Sequence, residues 1–320
     1  LGTFGRVLEC QDRQLNDQRV AIKVVRNIQR YTDSAKIEAD IVREVNRRGG
    51  RGVTHIVRLL GGFTFENHFC LAFESLGPSL YDFMKEHSYQ PFPMICVQDF
   101  CIQLLEALEF LHSFRLIHTD LKIENILLVD GRSVPYGKSG RQWVPKSTHI
   151  KLIDFGGSCY DDEHKSRIIN TRQYRAPEVI FETGWSMPSD LWSAGCILAE
   201  LYQGDLLFST HDNLEHLALM ERILGLFPRH VVERAKETSE LAREAFDADS
   251  QHKLERVLGS KSARFVRRSK RLGAIIRDPE HAWFLHILGR MLDMDARSRW
   301  TAHECLQHLR RNFLDRPRHL

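Results

Sequence analysis

The chain has 320 residues, enough to bury a core in each of two compact units. Apolar residues make up 42% and charged residues 27%, the balance of an ordinary globular protein, and a formal charge of +3 gives no whole-molecule case for nucleic acid or a membrane surface. Seven cysteines, at 10, 70, 96, 101, 159, 196 and 305, show no C-x-x-C pair, which argues against a zinc site or a disulfide framework and for a reduced intracellular compartment.

No run of about 18 apolar residues occurs, and the opening Leu1–Val7 lacks the basic and apolar regions of a signal peptide. The chain begins without Met and is read as a piece of a longer protein. Residues 1–76 read as strand-rich: 5–10, 20–25, 56–60 and 69–73 are short β-branched or apolar runs set off by Gly, Asn and Asp. One helix interrupts them over about 32–48, with Ala35, Ile41, Val42 and Val45 as its stripe and Gly49 and Gly50 at its end. From Gly77 the texture turns helical, with Val97, Cys101, Leu104, Leu105, Leu108 and Leu111 at helix spacing and amphipathic stretches at 190–203, 213–225 and 281–292. The polar segment 130–148 reads as a long hairpin between two strands. The expectation is an α+β fold of two lobes, a small β-rich one over 1–76 and a large helical one over 77–320.

Several short segments carry chemistry. Gly2-Thr3-Phe4-Gly5-Arg6-Val7 is the tail of a glycine-rich loop whose backbone N–H groups can approach phosphate oxygens, although an ordinary glycine hairpin would look the same. Lys23 sits in the strand Val20-Ala21-Ile22-Lys23, which otherwise wants burial. Glu38 lies on the inward stripe of the following helix with Ile41, Val42 and Val45, whereas Glu44 is turned away; a carboxylate on that stripe needs a cation, and Lys23 is the candidate. Asp154 ends an alternating strand and is followed by Phe155 and Gly156. With Asn125 it supplies oxygen ligands suited to Mg²⁺, leaving Asp120 for a substrate hydroxyl.

Together, Val20–Lys23, His118-Thr119-Asp120-Leu121-Lys122-Ile123-Glu124-Asn125, Asp154–Gly156 and Ala176-Pro177-Glu178 resemble the eukaryotic protein kinase signature, in order, over essentially the whole chain. A finer match resembles the Cdc-like, or LAMMER, kinases. It is carried by 118–128, 160–180, 189–202 and 210–225, in which Leu217-Ala218-Leu219-Met220-Glu221-Arg222 stands where that family reads LAMMER and Leu219 departs from it. The resemblance implies a bilobal fold, ATP and Mg²⁺ as cofactors, and these roles: Asp120 accepts or orients the proton of a substrate hydroxyl, Lys122 neutralises the γ-phosphoryl group, and Asn125 and Asp154 hold Mg²⁺. It also implies that Gly2, Thr3, Phe4 and Gly5 cover the phosphates, and that Lys23, held by Glu38, grips the α- and β-phosphates. Adenine would lie among Val7, Ala21, Leu127 and Ile153, bonded to the backbone of Glu74 and Leu76, with Phe73 behind. Glu178 would pair with Arg299 as fold support.

Further implications are transfer to Ser or Thr with Tyr autophosphorylation, Arg/Ser-rich splicing factors as protein partners, a monomer, and a nuclear and cytoplasmic location without membrane attachment. Thr119 stands where most protein kinases have Arg, and a neutral hydroxyl cannot form a bidentate bond to a phosphate on the activation segment; activity is therefore expected without phosphorylation there, even though Ser158, Tyr160, Ser166, Thr171 and Tyr174 are candidate sites. Asp161-Asp162-Glu163 reads as a solvated loop or as a contact for an Arg-rich substrate. Leu214, Leu217, Ala218 and Leu224 form an apolar helical face, so the family-naming stretch reads as structural. The basic run Lys261, Arg264, Arg267, Arg268, Lys270 and Arg271 reads as a solvated surface, with phosphorylated substrate, RNA or an import receptor as alternatives. His118 reads as a brace for its loop. The rival readings are a nucleotide-binding pseudokinase or scaffold, which should lack one of Lys23, Asp120, Asn125 or Asp154, and a small-molecule phosphotransferase, against which Ala176–Glu178 argues.

Overall fold

The computed structural model describes residues 5–13, 16–50, 55–137, 140–163, 166–246 and 258–311, so the expectations for Gly2, Thr3 and Phe4 lie outside the described residues. By internal packing the chain divides into two compact units, Leu1–Ser88 with Ile123–Cys159, and Tyr89–Lys122 with Tyr160–Leu320. All seven cysteines are free. Among the described residues no helix is long and apolar enough to cross a membrane.

The first unit is built on an antiparallel sheet of β1 (Gly5–Asp12), β2 (Gln18–Val25), β3 (Leu59–Phe65) and β4 (His68–Glu74), in the order β1-β2-β4-β3. At Gly5 a side chain could not be accommodated, because its Cβ would stand 2.1 Å from the Val24 carbonyl oxygen on the neighbouring strand. Helix α1 (Gln29–Gly49) buries Ala35, Glu38, Ala39, Ile41, Val42 and Val45. Ala35 and Ala39 meet Val25 and Leu71 of the sheet in a core flanked by Tyr31, Leu59, Phe69 and Phe73. Full burial of one such Val or Leu contributes about 1.5–3 kcal/mol, so this face fixes the helix on the sheet.

The strand expected over 56–60 begins instead at Leu59. The backbone just before it is bonded elsewhere: the Val57 amide donates to Leu152 at 3.0 Å and the Leu152 amide to His55 at 2.8 Å. The Asn46 side chain bonds both the Val57 carbonyl and the Leu59 amide, which turns the chain into β3. The unit is completed by α2 (Leu80–Glu86), by β5 (Ile126–Leu128) paired antiparallel with β8 (Ile150–Leu152), and by the hairpin β6 (Ser133–Tyr136) with β7 (Gln142–Pro145). That hairpin is the one expected within 130–148.

The second unit is helical. It contains α3 (Met94–His112), α4 (Pro177–Ile180), α5 (Pro188–Gln203), α6 (Asn213–Leu224), α7 (Arg229–Thr238), α8 (Glu240–Ala245), α9 (Ser260–Arg268), α10 (Leu272–Ile275), α11 (Ala282–Met291) and α12 (Ala302–Leu309). Helix α5, expected to be amphipathic, is instead buried on every side from Ser189 to Leu201 and packs against α3 and α11. Its Trp192 stacks on Phe208. It ends at Gly204, whose φ of 81° is left-handed, the conformation of a helix C-terminal glycine. In α6, residues 216–220 are buried, and Arg222 donates to the Ser269 carbonyl at 2.9 Å. Burial, with Arg175 and Arg172 nearby, pushes His216 down to about 3, so the ring stays neutral at ordinary pH. The stretch that names the family is packing material, as its apolar face implied.

Candidate active site

In the first unit, β2 points Lys23 toward α1. Its Nζ donates to Glu38 at 2.8 and 2.9 Å and lies 3.4 Å from Asp154 Oδ1. Burial lowers the affinity of Lys23 for its proton, but Glu38 and Asp154 outweigh that and raise its pKa above the usual lysine range. Glu44, the alternative partner considered from sequence, instead binds Arg47 and Arg48 on the outer face of α1. Helix geometry alone separated the two carboxylates, because Glu38 shares the stripe that packs on the sheet.

Asn125 closes a turn of 3₁₀ helix just before β5, and Asp154 follows β8. The pairing of Ile126 with Leu152, and the bond from the Ile153 amide to the Asn125 carbonyl at 3.0 Å, bring both residues to the same end of this two-stranded ribbon. Asp154 has φ 64°, a left-handed conformation that costs a non-glycine residue about 1–3 kcal/mol. Its side chain is 38% exposed. The partly exposed Asp154 carboxylate and the amide oxygen of the buried Asn125 fit Mg²⁺, a hard cation that takes few protein ligands and leans on phosphates.

The adenine candidates belong to the same unit. Ala21 lies opposite Phe73 in the β2–β4 ladder, and Val7 opposite Lys23. Leu127 bridges to Ser79, soon after Leu76. Ile153 directly precedes Asp154. The Glu74 amide is committed to the Arg58 carbonyl, and its side chain to Lys151 and the Arg58 amide.

In the second unit the carboxylate of Asp120 is held on both oxygens. Thr171 donates its hydroxyl to Oδ1 at 2.9 Å, and Lys122 donates to Oδ2 at 2.6 Å. The Lys122 Nζ is also 3.4 Å from the Thr171 hydroxyl. His118 braces the loop from within: fully buried, it accepts the Asp120 amide on Nδ1.

Sequence reasoning missed Asp190. This fully buried carboxylate of α5 accepts the amides of His118 at 2.8 Å and Thr119 at 3.0 Å and is bonded by His112 Nε2. Burial alone would push its carboxyl up, but His112 and the His118 amide overcome this and hold it below the usual carboxylate range. The available signal was an acid in the first turn of a helix rich in apolar residues. Thr119 itself is buried with φ 69°, and its carbonyl accepts both the amide and the side-chain N–H of Asn170. Arg175 donates to the carbonyls of Ile169 and Asn170. Bonds to the carbonyls of Thr119, Ile169 and Asn170 and to the carboxylates of Asp120 and Glu200 therefore hold the segment 169–175.

The candidate phosphorylation sites divide accordingly. Ser158 and Tyr174 are buried, Tyr174 with its hydroxyl on Glu200 at 2.7 Å, and Thr171 is committed to Asp120. Tyr160 and Ser166 are the more accessible ones. Asp161 is occupied by Arg115 and Ser186, and Glu163 by the Tyr160 amide, leaving Asp162 of the acidic loop exposed. Glu178 and Arg299 form a bidentate pair at 2.7 and 2.9 Å.

The protein kinase domain family model matches residues 1–309. The chain is 44% identical over 319 residues to serine/threonine-protein kinase AFC3 of Arabidopsis thaliana, covering 96% of this chain and 78% of that protein. It is 40% identical over 314 residues to dual specificity protein kinase CLK1 of Mus musculus, covering 96% of this chain and 63% of that protein. The chain belongs to the Cdc-like, LAMMER-type branch of the protein kinase family. A crystal structure of a kinase domain matches the kinase with a TM-score of 0.85 and 41% identity, over 96% of this chain and 92% of that one. The kinase spans less than two thirds of the length of CLK1.

Proposed function

We propose that this kinase transfers the γ-phosphoryl group of ATP to Ser and Thr of Arg/Ser-rich splicing factors, with autophosphorylation on Tyr, in the nucleus and the cytoplasm. The observation that carries a catalytic rather than a scaffolding role is Asp120, whose carboxylate is oriented on both oxygens by Thr171 and Lys122. A protein that binds nucleotide without transferring its phosphoryl group has no use for that arrangement.

Asp120 takes or orients the proton of the substrate hydroxyl, and Lys122 offers positive charge to the phosphoryl group in transit. Lys23, kept charged and aimed by Glu38, binds the α- and β-phosphates. Asn125 and Asp154 would hold Mg²⁺, which when bound supplies charge neutralisation to the phosphates. Phosphoryl transfer asks mainly for positioning and neutralised charge, so these few fixed groups suffice.

The deciding experiment is a peptide array with Mg·ATP that compares Arg/Ser repeats with Pro-directed and acidic sequences. Arg/Ser repeats should be phosphorylated fastest; preference for either other class would overturn the substrate assignment. A second expectation concerns control. Thr119 offers no cation to a phosphate, and hydrogen bonds that involve no phosphate hold residues 169–175. Treatment with a phosphatase, verified by mass spectrometry, should leave the rate of peptide phosphorylation unchanged. Loss of activity on dephosphorylation would show that a phosphate holds the segment after all.

A further inference from the structure

The basic run and the helices around it form a feature that phosphoryl transfer does not use. A groove of about 450 Å³ opens in the helical unit, with Leu224, Leu226, Leu272, Leu285 and Met294 among its lining residues. Leu226 is 67% exposed, a large apolar side chain with no cover among the described residues. Two glycines, Gly273 and Gly289, also line it. Gly289 lies within α11, where glycine weakens a helix relative to alanine. Packing does not require it, since a Cβ built there meets nothing within 4 Å. The missing side chain keeps the groove open.

A basic stretch of the chain reaches the groove. Arg271 lines it, and the Arg222 bond to the Ser269 carbonyl fastens the end of α9 beside Ile223 and Leu224. Helix α9 carries Arg267 and Arg268 in its last turn, followed by Lys270 and Arg271, all exposed. Among the described residues, none of these four cations forms an ion pair with a carboxylate; Arg267 bonds the Ala263 carbonyl of its own helix. The one acid in the lining, Asp293, accepts the Asp295 amide on one oxygen at 2.9 Å, and the cations outnumber it. An apolar trough beside a row of unneutralised cations is complementary to one kind of ligand: an amphipathic helix whose apolar face fills the trough and whose flank is acidic.

We propose that this groove is a docking site for an acidic amphipathic helical segment of a partner protein. The apolar lining distinguishes it from a site for RNA or for a phosphorylated Arg/Ser tract, neither of which brings aliphatic side chains to bury. The cations at 267, 268, 270 and 271 set the sign of the partner, and the trough sets its spacing, with anchors at i, i+3 or i+4, and i+7.

The test is selection of random 16-residue peptides displayed on phage against the kinase, with counter-selection against Gly289→Leu. That variant fills the groove from a position with free space and should fold at least as well as the parent. Enriched peptides should carry aliphatic residues at helical spacing and a net negative charge. Synthesised and labelled, they should bind roughly tenfold or more weakly to Gly289→Leu and to the double variant Lys270→Glu/Arg271→Glu. Both variants should phosphorylate a short peptide at the parent rate. Enrichment without acidic, helically spaced sequences, or selected peptides that bind both variants as tightly as the parent, would overturn the proposal. So would tighter binding of a single-stranded RNA or a phosphoserine/arginine repeat that Gly289→Leu leaves unchanged.

Discussion

Replacing Asp120 by Asn is expected to lower the rate of peptide phosphorylation by about 10²–10⁴-fold while leaving ATP affinity nearly intact. The substitution keeps the shape of the side chain. The amide oxygen can still accept the Thr171 hydroxyl, now 2.9 Å from Oδ1, so the loop should hold its position. What disappears is the proton acceptor, together with the negative charge that Lys122 meets at 2.6 Å. An amide nitrogen facing an ammonium offers no bond, and Lys122 is freed to take another anion. The loss should therefore fall on kcat rather than on nucleotide binding, whose candidate residues Lys23, Glu38, Asn125 and Asp154 are untouched. Steady-state kinetics, with calorimetric titration of nucleotide, separates the two. Parent-like kcat would remove Asp120 from the chemistry, and loss of nucleotide affinity in step with kcat would make its role one of binding.

Much of this arrangement was legible in the sequence because periodicity carries direction. Glu38 could be preferred to Glu44 as the partner of Lys23 because its place on the helix stripe decides which carboxylate faces the sheet, and the ion pair at 2.8 Å follows. Of the apolar face read over 214–224, Leu217 and Ala218 are buried, while Leu214 and Leu224 are half-buried. What was not legible depended on partners distant in sequence. Asp190 sits 71 residues from Thr119, and nothing local announces that its carboxylate gathers two amides of the loop before Asp120. Thr171 looked like a hydroxyl open to modification, and only the folded chain places it on Asp120. The start of β3 at Leu59 was obscured for a similar reason: the side chain of Asn46, on α1, reroutes the backbone hydrogen bonds before it. Such bonds between side chain and backbone leave no periodic trace.

The second large effect concerns stability. Arg299 is fully buried and directs a fork of two N–H groups at Glu178, 2.7 and 2.9 Å away, whose side chain is 6% exposed. It also bonds the carbonyls of Pro188 and Asp293 and lies 5.1 Å from the Trp192 ring centroid. Substitution of Arg299 by Met retains much of the volume but strands the Glu178 carboxylate without a cation. The expected cost is about 3–5 kcal/mol, because an uncompensated buried charge is far more expensive than the pair is favourable. Arg299→Lys should also destabilise, since a single ammonium cannot replace the planar fork. Chemical unfolding followed by fluorescence of the five tryptophans measures both. The double variant Glu178→Gln/Arg299→Met removes the stranded charge and should recover part of the loss. If shape rather than charge held this junction, the double variant would instead be the less stable of the two, since it surrenders the same contacts and the Glu178 acceptors besides.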